Sequence, residues 1–435
     1  MAPRTIALSL LVVLLATSAV ATASPRPTPV CGPCDRPFVS AARSHGVDVE
    51  VERSTAHVRV HENGSASWTV ENRVDADAAR RFRDDPALLD DVATDSLAAR
   101  EAEAVRASVD GRTVTMRYRT PDFARDAPGN VLLVTAFRDD DGLRVYTGLG
   151  ADRLTLVAPE GRVVDRALPG ASVDGREMVA TEFDSRGDGP FVTLVPAGTQ
   201  VAPLLSFVAV AAAVADVVAR NLLLLVAVPL SAYLGLVSAV AWGVGRTDGG
   251  ERDPERLASL VAGFGLLLAA HPLFAGALSL LGSSSPALFA AGVGVVVLGG
   301  AGHPAVRDRL SPRGVVALVG VAFAVAVGVA ALLQATQAVP AVALRPGASA
   351  VTQVLPALPA YATLVVGYAA ARGDLRRGLA VAGATLALAL AVQFPLVSSG
   401  GSLYGLAVVL AVIGALAAAV VGLPAFLLGY AVERA

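Results

Sequence analysis

The chain changes its hydrophobic rhythm once, near residue 200. Before that point apolar and polar residues alternate in short runs broken by turn residues. After it, long apolar stretches alternate with short arginine-bearing turns. Alternation with a period of two predicts half-buried strands, and apolar stretches of roughly twenty residues predict membrane-crossing helices. In the first half, residues 55–61 and Ala66–Val74 alternate on either side of Asn63-Gly64, a strong tight-turn signal. Val58 and Val60 on one strand, with Trp68 and Val70 on the other, fit a hairpin with one buried face. Residues 47–53 alternate in the same way. Residues 37–44, stopped by Gly46, read as a short helix, and residues 75–83 and 86–108, rich in Ala, Leu, Asp, Glu and Arg, read as helix. Strands are expected again at 113–119, 130–138, 143–147, 153–158, 162–165 and 191–195, several of them separated by Gly-containing turns.

In the second half seven spans fit best, at 222–244, 257–281, 286–302, 314–336, 352–371, 378–397 and 403–430. Residues 201–221 are apolar but carry Asp216 and Arg220, and read as a stalk or interfacial helix. Residues 1–23, with Arg4, an apolar core and Ala21-Thr22-Ala23, read as a secretory signal. The expected fold is therefore an α+β, β-rich extracytoplasmic domain over 24–200, followed by an all-α polytopic membrane bundle of about seven helices over 222–435.

Charge sets the expected orientation. Residues 24–200 carry 22 Arg against 29 acidic residues, whereas residues 201–435 carry 12 Arg against 8. The arginines of the second half cluster between spans: Arg246, Arg252 and Arg256; Arg307, Arg309 and Arg313; Arg372, Arg376 and Arg377. Guanidinium groups in short loops stay in the cytoplasm because carrying them through lipid is costly. An exported N-terminus followed by seven crossings puts all three clusters and the C-terminus inside. The protein is then expected in the cell membrane, with the lipid bilayer as its first partner and an external ligand or another membrane protein as its second. No basic stripe in the acidic half suits a nucleic-acid backbone. All 35 basic residues are arginine, which excludes a lysine nucleophile or a retinal-type Schiff base.

Few residues suggest chemistry. Cys31-Gly32-Pro33-Cys34 resembles the active-site tetrapeptide of thioredoxin, where a thiolate at a helix N-terminus attacks a disulfide. Outside the cell the same pair more simply forms a local disulfide. Cys31 and Cys34 together with His45, His57 and His61 form a candidate Zn²⁺ or Cu(I) set, although their spacing matches no common finger. Asn63-Gly64-Ser65 is a glycosylation acceptor pattern at a hairpin tip. Within the spans, His271, Gln334 and Gln393 are the polar side chains that a solute pathway would use, and no acidic group accompanies them. No phosphate-binding loop, nucleophile elbow or carboxylate pair stands out, and the sequence implies no cofactor.

The Cys-x-x-Cys start, the run from His61 to Val70 and the lysine-free makeup together resemble multi-pass membrane proteins of halophilic archaea with a secreted N-terminal domain. That resemblance covers mainly the outer domain and implies no particular activity. The overall plan is also similar to bacterial seven-span receptors with an outer sensing domain; with Glu433, Arg434 and Ala435 alone after the last span, output would need a partner. The expected role is a non-enzymatic, receptor-like or scaffold protein binding an external ligand or envelope partner. The alternatives are a membrane-tethered thiol–disulfide oxidoreductase using Cys31 and Cys34, and a transporter of a neutral solute.

Overall fold

The computed structural model describes residues 26–97, 102–138, 144–146, 148–183, 190–246, 253–275, 286–335, 349–394, 396–397 and 404–435. The proposed signal at 1–23, Arg252, and most of the expected outer turns lie outside them. The described chain divides into two units, with the boundary at residue 218 and residues 397–404 joining the first.

The first unit is β-rich. Its strands are β1 (Arg26–Thr28), β2 (Val51–Val60), β3 (Ala66–Val74), β4 (Glu103–Asp110), β5 (Thr113–Thr120), β6 (Ala124–Ala127), β7 (Val131–Val134), β8 (Arg144–Tyr146), β9 (Arg153–Val157), β10 (Arg162–Arg166), β11 (Ser172–Asp174), β12 (Glu177–Ala180) and β13 (Val192–Pro196). One sheet has the order β11-β12-β9-β2-β3-β5-β4, a second the order β10-β13-β7-β6, and β1 pairs with β8 in parallel. The β2–β3 hairpin has the expected register, with Val58 opposite Trp68 and Val60 opposite Ala66. Gly64 in its turn has φ of 79° and presses against the Ala124 carbonyl, so a side chain there meets both backbone strain and a clash.

Alternation along β2 and β3 buries Ala56, Val58, Val60, Ala66, Trp68 and Val70 on one face. Trp68 stacks on Tyr118 at 5.5 Å and meets Phe123 edge-on at 5.8 Å, and Phe123 in turn meets Phe137 edge-on at 5.9 Å. Such pairs add roughly 0.5–1.5 kcal/mol each beyond the area they bury.

Three helices flank the sheets: α1 (Arg36–Ser44), α2 (Ala76–Asp84) and α3 (Pro86–Ser96). Asp75 caps α2 by accepting from the backbone of Asp77 and Ala78, and it also accepts from Glu50. Burial raises its pKa, but these backbone donors outweigh that effect and hold the carboxyl below the usual carboxylate range.

The helix expected over 86–108 ends at Ser96, and residues 103–110 form β4 instead. The composition there favours helix, but Val105, Ala107 and Val109 alternate, and pairing with β5 captures that alternation. The strand expected over 47–53 begins only at Val51. Short strands β1, β6, β11 and β12 are additional to those expected.

The helical region starts with α4 (Ala202–Asn221), passes through a π-helical turn (Leu222–Ala227) and continues as α5 (Val228–Arg246). The stalk expected at 201–221 is thus continuous with the first expected span, in a 45-residue helical run. In the first unit, the start of α4 lays Ala202, Leu205 and Ala209 against Val131 and Val195 of the smaller sheet. The Ser206 hydroxyl donates to Asp165 at 2.5 Å and lies 2.7 Å from the Thr193 hydroxyl.

The second unit continues with α6 (Pro254–Ala275), α7 (Pro286–Gly299), α8 (Pro304–Arg307), α9 (Pro312–Ala335), α10 (Ala350–Val354), α11 (Leu358–Ala371), α12 (Leu375–Gln393), α13 (Tyr404–Val421) and α14 (Leu423–Arg434). Among the described residues, five helical segments are long and apolar enough to cross a membrane: 202–246, 312–335, 350–371, 375–393 and 404–421. The last expected span breaks at Gly422 into α13 and α14. The Thr363 hydroxyl lies 2.6 Å from the Gly422 carbonyl, and a Cβ on Gly422 would press on that same threonine. Glycines let α11 and α14 approach closely: a Cβ on Gly367 would collide with the Phe426 carbonyl, and one on Gly429 with the Leu364 carbonyl. Large apolar side chains face outward, among them Leu260, Leu267, Leu332 and Ile413. Such a surface suits lipid and is costly in water.

Candidate functional site

The Cys-x-x-Cys segment is a buried staple. Cys31 and Cys34 form a disulfide with their Cα atoms 5.5 Å apart, and both are fully buried. The segment is held from below by Asn72, which alternation places on the inward face of β3 and which is itself fully buried. Its amide donates to the Pro33 carbonyl at 2.8 Å, and its oxygen accepts from the Ser54 hydroxyl at 2.6 Å and from the Asp35 backbone N–H at 3.5 Å. The Cys31 N–H donates to the Leu149 carbonyl at 2.7 Å. A thiol that exchanges with another protein needs access, and neither sulfur has it. Asn72 was not singled out from sequence, although a polar residue at an inward strand position is the signal that marks it.

The histidines have other partners. His45 Nε2 lies 2.6 Å from Asp95, His61 Nε2 lies 2.7 Å from the Ser67 hydroxyl, and His57 is exposed on β2. Among the described residues no group of three or more His, Cys, Asp or Glu is placed to hold a metal ion, so the set read from sequence is not brought together. Asn63 is exposed at the hairpin tip, with its side-chain oxygen accepting from the Ser65 backbone at 3.2 Å and hydroxyl at 2.8 Å.

Beside that hairpin tip lies a polar groove of about 650 Å³. It crosses one end of four neighbouring strands, where β2, β9, β11 and β12 meet their turns. Glu62, Glu160, Asp174 and Glu177 bring four carboxylates to it, against Arg59 and Arg176, with His61 at the rim. Arg176 is anchored: its guanidinium donates to the Ala158 carbonyl at 3.2 and 2.9 Å. Glu62 is braced from behind by the largely buried Arg162 at 3.4 Å. Arg162 is fixed in turn by the backbone and side-chain oxygens of Asn130 at 2.7 and 3.1 Å. A smaller hollow of about 350 Å³ adjoins it, lined by His61, Glu62, Asn63 and Arg119. Neither the groove nor its bracing arginines were legible as a site, because the three turns that line it, near residues 60, 159 and 175, lie far apart in sequence.

Within the second unit, the arginine turns gather at one end. A Cβ on Gly302, in the 3-10 turn that follows α7, would lie 2.6 Å from the Pro254 carbonyl at the start of α6. The Tyr368 hydroxyl near the end of α11 donates to the Leu310 carbonyl, between Arg309 and Arg313, at 3.3 Å. Arg372 pairs with Glu433 near the end of α14 at 3.3 Å. Arg256 pairs with Asp253 at 3.4 Å, Arg307 with Asp308 at 3.4 Å and Arg377 with Asp374 at 2.9 Å. Arg246 lies over the Trp242 ring at 3.6 Å, while Arg309, Arg313 and Arg376 are exposed.

Of the polar residues read as a solute path, Gln393 donates to the Thr352 carbonyl and Gln334 is half-buried on α9; the His271 side chain lies outside the described residues. The cavity among these helices is lined instead by apolar side chains with Gln353 and Tyr361. No family model, curated protein or solved structure matches the chain.

Proposed function

We propose that this is a receptor-like, non-enzymatic membrane protein whose outer domain binds a cationic ligand, with seven crossings and the arginine turns in the cytoplasm. The observation that carries the ligand reading is the groove at the strand ends, where four carboxylates face two guanidinium groups, one of them already anchored to backbone. Such an arrangement favours a ligand bearing amino or guanidino groups. The gathering of the arginine turns at one end supports an up-and-down path for the helices. On this reading two further apolar helices, 254–275 and 287–302, also cross, which makes seven.

Titration of the purified full-length protein with spermidine tests the ligand reading. Glu160→Gln combined with Glu177→Gln should weaken binding about tenfold or more, and raising salt should weaken it in the wild type. Equal binding by both proteins, or none by the wild type, would remove the groove from consideration.

A further inference from the structure

We propose that the helical unit holds a single hydrocarbon chain of an outer-leaflet lipid in a slot bounded by α6, α7, α10, α11, α13 and α14. This rests on the membrane orientation just proposed, and not on the groove. The slot is a cavity of about 350 Å³ whose walls include Phe264, Leu268, Val295, Leu298 and Val421. Its lining positions on α7 run from Ala287 to Leu298, roughly 16 Å of helix at 1.5 Å per residue. That is about half of a ~30 Å hydrocarbon core, the depth of one leaflet. On α13 the wall consists of Gly414, Ala417, Ala418 and Val421, all exposed except Ala418, so the slot opens sideways along this helix.

The polar groups in the slot sort by position. The Tyr361 hydroxyl, deep in the bundle, is taken by the Ala291 carbonyl at 2.5 Å. Gln353 lines the end where α7 and α10 begin, opposite the arginine turns. A buried water needs two to four polar partners, which this lining does not offer along its length. An apolar slot one leaflet deep, with its polar lining residue at the mouth, matches a lipid tail entering from the outer leaflet with its headgroup at Gln353.

Gly414 supplies the test. Gly414 lines the slot, and a Cβ on it meets no atom within 4 Å, so Gly414→Phe adds a ring at the slot's open side without displacing backbone. Gly320 on α9 has equal room and does not line the slot, so Gly320→Phe is the control. Full-length wild type and both variants are delipidated in mild detergent, offered palmitoyl-oleoyl phosphatidylglycerol, and measured by native mass spectrometry. Wild type and Gly320→Phe should retain one lipid per chain, and Gly414→Phe about tenfold less. Equal retention by all three, or none by wild type, overturns the proposal. So does a change in oligomeric state confined to Gly414→Phe, which would make the slot an interface between copies. Impermeant labelling of the same proteins in membranes reports orientation separately, so failure of the slot and failure of the topology are distinct results.

Discussion

A polar side chain buried in an apolar sheet has to find a partner for each hydrogen-bonding atom, and Asn72 does so by fastening a loop. Its amide and oxygen meet Pro33, Ser54 and Asp35, which joins the disulfide segment to β3. Replacing it with Ala leaves the Pro33 carbonyl and the Ser54 hydroxyl without these partners, at a cost of roughly 1–3 kcal/mol for each buried group. Asn72→Ala should therefore lower unfolding stability by about 2–4 kcal/mol in a urea titration, whereas Glu71→Ala, on the exposed face of the same strand, should change it by less than about 0.5 kcal/mol. Equal effects would mean that the clamp contributes nothing. The cysteine pair shows the same dependence on surroundings. Its spacing alone is compatible with a redox site or a staple, and complete burial of both sulfurs favours the staple.

Elements were legible where their pattern was local. The β2–β3 hairpin follows from alternation around Asn63-Gly64, and helices α1 and α2 follow from their punctuation at Gly46 and Asp75. The strand β4 was not legible, because Glu, Ala and Arg suit a helix and only pairing with β5, across the turn at Gly111 and Arg112, decides otherwise. Strands of three or four residues, such as β11 and β6, carry too few positions to show a period. In the apolar half, apolar length located the long helices, yet it gave no sign of the break at Gly422 or of which glycines pack. Gly367 and Gly429 pack against backbone, whereas Gly414 and Gly320 face open space. Gly367→Leu should accordingly disrupt the α11–α14 crossing and lower the thermal midpoint in detergent by several degrees, while Gly320→Leu should leave it nearly unchanged. Similar losses at both positions would contradict the close packing.

At the scale of the whole molecule, one physical contrast organises the chain. An acidic, strand-rich unit precedes an apolar unit whose charged turns carry a net positive charge. The sequence shows the alternation of apolar stretches and arginine clusters. The fold adds that Pro254, Gly302, Leu310, Tyr368 and Glu433 meet at a common end. That meeting requires successive segments to run in opposite directions, as repeated crossings do. The candidate sites were less legible than the architecture. The groove is assembled from three turns, and the slot from apolar residues that look like ordinary packing positions in sequence.

The most direct measurement is labelling of engineered cysteines with a membrane-impermeant maleimide, feasible because both native cysteines are buried in a disulfide. Asp126→Cys, in the β-rich unit, and Arg309→Cys and Arg376→Cys, at the arginine end, each place a thiol at an exposed position. On intact cells the first should react and the other two should react only after the membrane is opened. Reaction of Arg309→Cys or Arg376→Cys from the medium, or protection of Asp126→Cys, would contradict the orientation on which the account depends.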